Sequence, residues 1–238
     1  MSQPLKGRVT LVTGASRGIG YAAAEALADA GSDIIALART QGGLEALDDS
    51  IKAKGQNCTI VPMDLTQGDG IDRLGAIINE RWGKLDGLLA NAGMLGEITP
   101  VPHLDLKVWD KIVAVNLTAN YRLIRSLDPL LRASEAGRAL FLTSGVAKTR
   151  RAYWGAYAST KAGLEALVQC YAKEAEVTPL RVNLLNPGAT RTAMRAKAMP
   201  GEDPSKPPNP TDISPLIVKM LSPEYSETDQ IVNYRETV

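Results

Sequence analysis

Histidine is almost missing from this chain, His103 being the only one. A Ser-His-Asp hydrolase would have to be built on it. It lies in T-P-V-P-H-L-D-L, a loop entering a helix, where a surface or capping role is the plainer expectation. Cysteine is scarce as well. Cys58 and Cys170 are too few for a disulfide framework or a cysteine zinc site, and each is expected to pack as a small hydrophobe. No His/Cys/Asp cluster has metal-ligand spacing, so no metal is expected. Neither sign of charge is in excess: a formal net charge of +1 leaves no footprint for nucleic acid or an anionic membrane. No apolar run approaches bilayer length. The start, M-S-Q-P-L-K-G-R, lacks the apolar stretch of a secretory leader, so a reducing cytoplasm is the expected location.

What is present is an alternation of short apolar runs with longer helical patterns. Strands are predicted at Val9 to Thr13, Asp33 to Ala38, Thr59 to Pro62, Leu85 to Ala90, Ala139 to Thr143 and Arg181 to Asn186. Helices are predicted at Ile19 to Ala30, Leu44 to Lys54, Ile71 to Trp82, Leu106 to Leu131, Tyr157 to Glu176 and Ile213 to Leu221. Gln230 to Tyr234 reads as an edge strand. Continuous apolar strands between helices imply an α/β fold, a doubly wound parallel sheet with helices on both faces. The length suits one domain over residues 1–238. Gly201 to Asn209 is proline-rich and polar; too little chain follows it for a second domain, so a surface loop or lid is expected.

Between Leu11-Val12 and the first helix runs T-G-A-S-R-G-I-G, with Gly14, Gly18 and Gly20 in the spacing G-x-x-x-G-x-G. Alone the pattern is weak. After a strand and before a helix, it is where a dinucleotide pyrophosphate approaches the backbone. The second strand ends Leu37-Ala38-Arg39-Thr40, with no acid for ribose hydroxyls. Arg39 there, and Arg17 inside the glycine turn, are placed to clamp a 2′-phosphate, which favours NADP over NAD. The competing reading is two solvated surface arginines. Asp64, in M-D-L-T after the third strand, suits an adenine amino group or, more plainly, an Asx turn.

Tyr157 and Lys161 stand four residues apart in Y-A-S-T-K, thirteen residues after Ser144. At that spacing phenol and ammonium share one helical face. The ammonium is expected to lower the phenol pKa and make it a usable acid near neutral pH. A lone tyrosine at such a position is otherwise a packed helix residue. Arg150 and Arg151, between Ser144 and Tyr157, suit an anionic substrate, a solvated face or a subunit contact. Tyr153 and Trp154 suit a pocket wall or the core.

In these motifs, and in their order from Lys6 to about Tyr234, the chain resembles the short-chain dehydrogenases/reductases of the single-domain, extended Rossmann branch. T-G-A-S-R-G-I-G resembles the cofactor loop, which implies that Gly14, Ser16, Arg17, Gly18, Ile19 and Gly20 contact the cofactor. D-L-T resembles the adenine-pocket motif, bringing in Asp64 and Leu65. A-N-A-G, with Asn91, Ala92 and Gly93, resembles the motif that steadies sheet and cofactor. V-N-L carries Asn116, matching the family's catalytic asparagine, and Ser144, Tyr157 and Lys161 match the rest of the catalytic group. N-P-G-A-T-R-T resembles the nicotinamide-side motif, with Pro187, Gly188, Thr190 and Thr192, the last bonding the carboxamide.

The resemblance implies hydride transfer between NADP(H) and a small carbonyl or alcohol substrate. Tyr157 would donate the proton, Ser144 a hydrogen bond, Lys161 the ribose contact, and Asn116 would position a water. It implies a homodimer or homotetramer through the two long helices, whose apolar surface, with the stripe Leu164, Leu167, Val168 and Tyr171 on the second, exceeds what one sheet face needs unless all of it faces the sheet. Three departures stand out: Ala90 in place of the first Asn of N-N-A-G, no glycine-rich closing strand before R-E-T-V, and a short proline-rich segment after Thr192. The alternative class is a non-catalytic nucleotide sensor or scaffold on the same fold.

Overall fold

The structure, a computed structural model, describes residues 3–237. Met1, Ser2 and Val238, the ends of the expected span 1–238 and of the tail R-E-T-V, lie outside the described residues. Seven parallel strands form one sheet in the order β3-β2-β1-β4-β5-β6-β7. They are β1 (Val9–Thr13), β2 (Asp33–Ala38), β3 (Cys58–Pro62), β4 (Gly87–Ala90), β5 (Arg138–Leu142), β6 (Arg181–Asn186) and β7 (Ile231–Asn233). β1, β4 and β5 are buried along their whole length, as continuous apolar runs require when helices cover both faces.

The helices are α1 (Gly18–Asp29), α2 (Gln41–Ala53), α3 (Gly68–Trp82), α4 (Leu106–Val113), α5 (Ala119–Arg132), α6 (Val146–Thr149), α7 (Gly155–Ala175), α8 (Ala193–Ala198) and α9 (Pro210–Leu221). One face of the sheet carries a core that gathers Leu74 and Ile78 of α3, Leu123 and Leu127 of α5, and Leu164 and Val168 of α7. The other gathers Ala23 and Leu27 of α1, Leu44 and Leu47 of α2, and Ile213 and Ile217 of α9. Each set recurs at three- and four-residue steps, so each helix buries one stripe. Strand order reverses between β1 and β4, which opens a crevice at their carboxyl ends.

Four expectations are corrected here. The helix predicted over Leu106 to Leu131 is broken: α4 and α5 are joined by a π-helical turn, Ala114–Thr118. Its extra residue disturbs no hydrophobic spacing strongly enough to show in the sequence. The edge strand predicted over Gln230 to Tyr234 is only Ile231–Asn233, because Tyr234–Glu236 winds into a 3-10 turn and the Tyr234 hydroxyl donates to the Asp212 carbonyl at 3.1 Å. On α7, Leu164, Val168 and Tyr171 of the expected stripe are buried against the sheet rather than left for a partner, and Leu167 is half-buried; Ser159, Ala162, Ala166 and Cys170 face outward. Cys170 is therefore exposed instead of packed, while Cys58 does lie against the core. Short α8 was not predicted. Among the described residues no helix is long and apolar enough to cross a membrane.

The inward turn of this stripe has a measurable consequence. Leu164→Ala is expected to cost about 2–5 kcal/mol of unfolding free energy, the usual loss for truncating a fully buried leucine. Ala166→Ser, on the exposed side of α7, should stay within about 0.5 kcal/mol. Urea unfolding of both variants checks this. Equal effects would contradict the assignment.

Candidate active site

The carboxyl ends of successive strands collect the expected residues along one edge of the sheet. Gly14 follows β1, Arg39 follows β2, Asp64 lies just past β3, Asn91 follows β4, Ser144 follows β5 and Pro187 follows β6. A parallel sheet does this by construction, since every strand exits on the same side.

At the crevice, Asn91 joins the two halves. Its Nδ2 donates to the carbonyls of Thr13 (2.9 Å) and Gly14 (3.3 Å), and its backbone N–H donates to Thr13 Oγ1 at 3.0 Å. Ala92 N–H also donates to Thr13 Oγ1. Gly14 and Gly18 have φ of 67° and 61°, in the left-handed region that favours glycine. A methyl on Gly20 would overlap the Gly14 carbonyl and the Asn91 amide. Ile19 packs on the core beneath the turn, and Ser16 lies against Gly43 of α2. Arg17 is exposed at the N-cap of α1, where its side chain makes no capping bond.

Arg39 and Asp64, placed separately in the sequence, meet at the rim as an exposed ion pair, 3.9 Å between Nη1 and Oδ2. Asp64 also forms the Asx turn, accepting from Thr66 N and Oγ1 at 2.9 Å each. The Thr66 backbone bond is the main cause holding its carboxyl below the ordinary range, with Arg39 helping. Leu65 is buried beside it.

On the other side of the crevice, α7 presents Tyr157 and Lys161. Lys161 is 4 % exposed and its Nζ donates to the Leu142 carbonyl at 2.7 Å. It also lies 5.8 Å from the Tyr157 ring centroid. Burial pulls the ammonium down to about 8, opposed by the charge of Glu165. Glu165, one turn further along α7, accepts from Thr143 Oγ1 at 2.7 Å. The tyrosine departs from expectation. Burial, not Lys161, sets its phenol, which is pushed up to about 12, while a hydrogen bond with Ser144 pulls the other way. Tyr157 is thus a fully protonated phenol at neutral pH. Trp154 packs edge-on to its ring, centroids 6.1 Å apart.

Asn116 is completely buried in the π-helical turn. Its Oδ1 accepts from Met94 N and its Nδ2 donates to Met94 O, each at 2.9 Å; Nδ2 also reaches Thr160 Oγ1 at 3.1 Å. The side chain is thereby committed to holding the loop after β4. A Cβ on Gly93 would lie 3.4 Å from Asn116 Oδ1 and 3.8 Å from Lys161 Nζ, so Gly93 keeps this corner open.

The segment after β6 closes the site from above. Gly188 N donates to Asn186 Oδ1, and Thr190 is buried with its hydroxyl on the Pro187 carbonyl. Thr192 lies beside Gly18, 3.4 Å from where a Cβ would be, and its Oγ1 caps α8 by accepting from Arg195 N at 3.1 Å. Arg195 and Glu202 form a bidentate ion pair at 2.6 Å per bond, and Arg191 bonds the Ser205 and Pro207 carbonyls. The proline-rich segment is therefore a stapled surface loop. A 360 Å³ cavity lies between residues 95–99 and Lys197 of α8.

Arg150 and Arg151 are exposed. Arg151 stacks 5.9 Å over Trp154 and touches Met199 Sδ at 3.9 Å. Arg150 and Tyr153 hold left-handed backbone (φ 46° and 73°), a strain that clusters at functional loops. Tyr153 is exposed, whereas Trp154 is buried, as the core alternative expects. His103 is exposed in a 3-10 turn, Val101–His103. Sequence reasoning missed Glu165, the Arg195–Glu202 staple and the Leu142 carbonyl. For Glu165 a signal existed, its four-residue step from Lys161; the other two depend on chain reversal.

The buried ammonium makes stability pH-dependent. Because folding lowers the Lys161 pKa to about 8, the unfolded chain binds that proton more tightly above pH 8. Stability from this group rises as pH climbs from about 8 toward the ordinary lysine range. Lys161→Met should lack that rise. Urea midpoints of both proteins at pH 7.5 and 9.5 check it; a parallel pH dependence would refute the assignment.

Residues 8–203 match the family model for short chain dehydrogenase. The chain is 40% identical over 220 residues to the uncharacterized oxidoreductase YciK of Escherichia coli (strain K12), covering 91% of this chain and 87% of that protein. Among solved structures it is similar to a short chain dehydrogenase from Escherichia coli CFT073 complexed with NADPH: TM-score 0.93, 38% identity, coverage 97% and 98% of the two chains. A short chain dehydrogenase from Shigella flexneri 2a complexed with NADP gives a TM-score of 0.95 at 37% identity, over 99% and 100%. With this match along nearly all its length, over a seven-stranded parallel sheet, the chain belongs to the short-chain dehydrogenase/reductase family of oxidoreductases.

Proposed function

We propose that this protein is an NADP-dependent oxidoreductase that interconverts a carbonyl and an alcohol, with Tyr157 as the proton donor. The observation that carries the proposal is the convergence of Tyr157, Ser144, buried Lys161 and Asn116 beside the glycine turn at the strand-reversal crevice.

The residues present fit the cofactor. The left-handed Gly14 and Gly18 bring bare backbone to the start of α1, whose first N–H groups no Arg17 bond caps, and that arrangement suits a pyrophosphate. Ser16 and Ile19 belong to the same turn. Arg17 and Arg39, both exposed at the rim, would hold a 2′-phosphate, Arg39 exchanging Asp64 for it. Asp64 and Leu65 would border the adenine, and Asn91, Ala92 and Gly93 the ribose side of the crevice. Pro187, Gly188, Thr190 and Thr192 would border the nicotinamide, the Thr192 hydroxyl giving up its cap to α8. Related proteins crystallised with NADPH or with NADP support the reading further, with NADPH the form that would serve reduction. Bound there, it supplies the hydride.

The chain's own part is proton transfer and charge stabilisation. The Tyr157 phenol is protonated at neutral pH and so has a proton to give to a carbonyl oxygen; burial, which raises it to about 12, makes it a weaker acid than an ordinary phenol, against the direction general acid catalysis favours. Ser144, near enough to that phenol to pull its pKa down, would donate to the oxygen where negative charge develops. Lys161 would hold the ribose hydroxyls. Asn116, its side chain spent on Met94 and Thr160, would place a water only through its backbone. The outward face of α7, with small Ala162 and Ala166, supports self-association as a dimer.

Three outcomes are expected. With a panel of ketones, aldehydes and quinones, Tyr157→Phe should lower NADPH-dependent turnover by roughly two to four orders of magnitude while leaving NADPH binding intact. A Tyr157→Phe enzyme of normal turnover would exclude the mechanism. Replacing Arg17 and Arg39 together by Ala should weaken NADPH by about ten- to a hundredfold relative to NADH, the worth of charged hydrogen bonds. Equal NADH and NADPH affinities in the unmodified protein would overturn the cofactor choice. Light scattering at micromolar concentration should show at least a dimer, and a clean monomer would contradict that part.

A further inference from the structure

One more ionisable side chain shares the helical face of Tyr157 and Lys161. Glu165 follows Lys161 by four residues, as Lys161 follows Tyr157, so the three stack along α7. Glu165 is fixed there by a bond from outside its helix: Thr143 Oγ1 donates to its Oε1 at 2.7 Å. Thr143 is buried, and it stands between two residues of the site. On one side is Leu142, whose carbonyl accepts Lys161 Nζ at 2.7 Å; on the other is Ser144.

The surroundings of Lys161 are otherwise without formal charge. Its own helix contributes Tyr157, neutral at pH 7, and Thr160. The end of β5 contributes a backbone carbonyl, the π-helical turn contributes Asn116, and the loop after β4 contributes Gly93. Among the described residues, Glu165 is the one charge acting on the ammonium. A buried ammonium is costly unless an opposite charge or strong acceptors offset its lost hydration. One carbonyl is a thin substitute for a water shell.

We propose that Glu165 is a positioning residue: carried on the same face of α7, its carboxylate keeps Lys161 a charged donor for the cofactor's ribose hydroxyls at and above neutral pH. This rests on the proposed contact between Lys161 and the cofactor. Two roles for Glu165 are separable. Its charge acts on Lys161, and its bond to Thr143 ties α7 to the end of β5. Glu165→Gln removes the charge and keeps an oxygen for Thr143. Thr143→Val removes the bond and keeps the charge.

The experiment is equilibrium titration with NADPH, followed by its fluorescence, from pH 6.5 to 9.5. It needs no substrate. In the unmodified protein, affinity should fall as pH rises through about 8, where Lys161 loses its proton. Lys161→Met should bind weakly with no such limb. Glu165→Gln should move the midpoint down by roughly one pH unit, the low end of the effect of a nearby opposite charge. Glu165→Ala should do the same, which keeps the test alive should the amide variant fold poorly. Glu165→Asp should restore most of the original midpoint, and Thr143→Val should leave it in place. An unmoved midpoint in Glu165→Gln, alongside a limb that Lys161→Met abolishes, would overturn the role of Glu165 alone. A Thr143→Val shift equal to that of Glu165→Gln would make the role structural and also overturn it. No NADPH binding by the unmodified protein would remove the cofactor proposal itself.

Discussion

The whole edge that carries the site depends on how the strand-order reversal between β1 and β4 is closed. At that point neighbouring loops leave in opposite directions, and the carbonyls of Thr13 and Gly14, where β1 ends, need donors from outside the ladder. The Asn91 amide takes both, and Thr13 Oγ1 accepts the two N–H groups that follow β4. The same amide occupies the space where side chains on Gly14 and Gly20 would go. Two of the three glycines are thus required by packing as well as by any phosphate. Gly18, which opens toward Thr192, is the one most directly suited to a ligand. This explains why a glycine pattern is such a modest signal without its strand, its helix and its asparagine.

A second constraint is the removal of an ammonium from water. Lys161 is almost wholly buried, and its remaining partners are a backbone carbonyl and the field of Glu165. Burial acts on the tyrosine in the opposite sense, raising its pKa where it lowers the lysine's, because it always disfavours the charged form. The two shifts bring the site to neutral pH with a protonated phenol beside a readily titrated lysine. Asn116 holds the wall around them. The π-helical turn gives it a direction that an uninterrupted helix would not, and both its amide atoms are spent on the loop after β4.

The fold class, the order of the main elements and most residues of the candidate site were legible along the chain. Periodicity exposes a buried strand or a one-sided helix, and Val9–Thr13 or Leu44, Leu47 and Ile51 show it plainly. The glycine turn, Arg39, Asn91, Ser144, Tyr157 and Lys161 were legible because each is local: a strand end, or a step of four on a helix. A parallel sheet then brings such ends to one edge without further instruction.

What the chain could not show is whatever depends on direction, depth or chain reversal. The stripe Leu164, Val168 and Tyr171 has helical spacing whether it faces a sheet or a partner; only packing decided that it faces inward. The π-helical turn adds one residue inside an apolar pattern that tolerates it. Arg39 and Asp64 meet because β2 and β3 are neighbours, and Arg195 meets Glu202 because the chain folds back after α8. The sign of the Tyr157 shift was undecidable in one dimension, where the nearby lysine is visible and the depth of burial is not. Sequence alone determined which groups stand on each strand end and helix face, because those follow from backbone periodicity; tertiary structure decided their charge and partners, because solvation and contact are properties of volume.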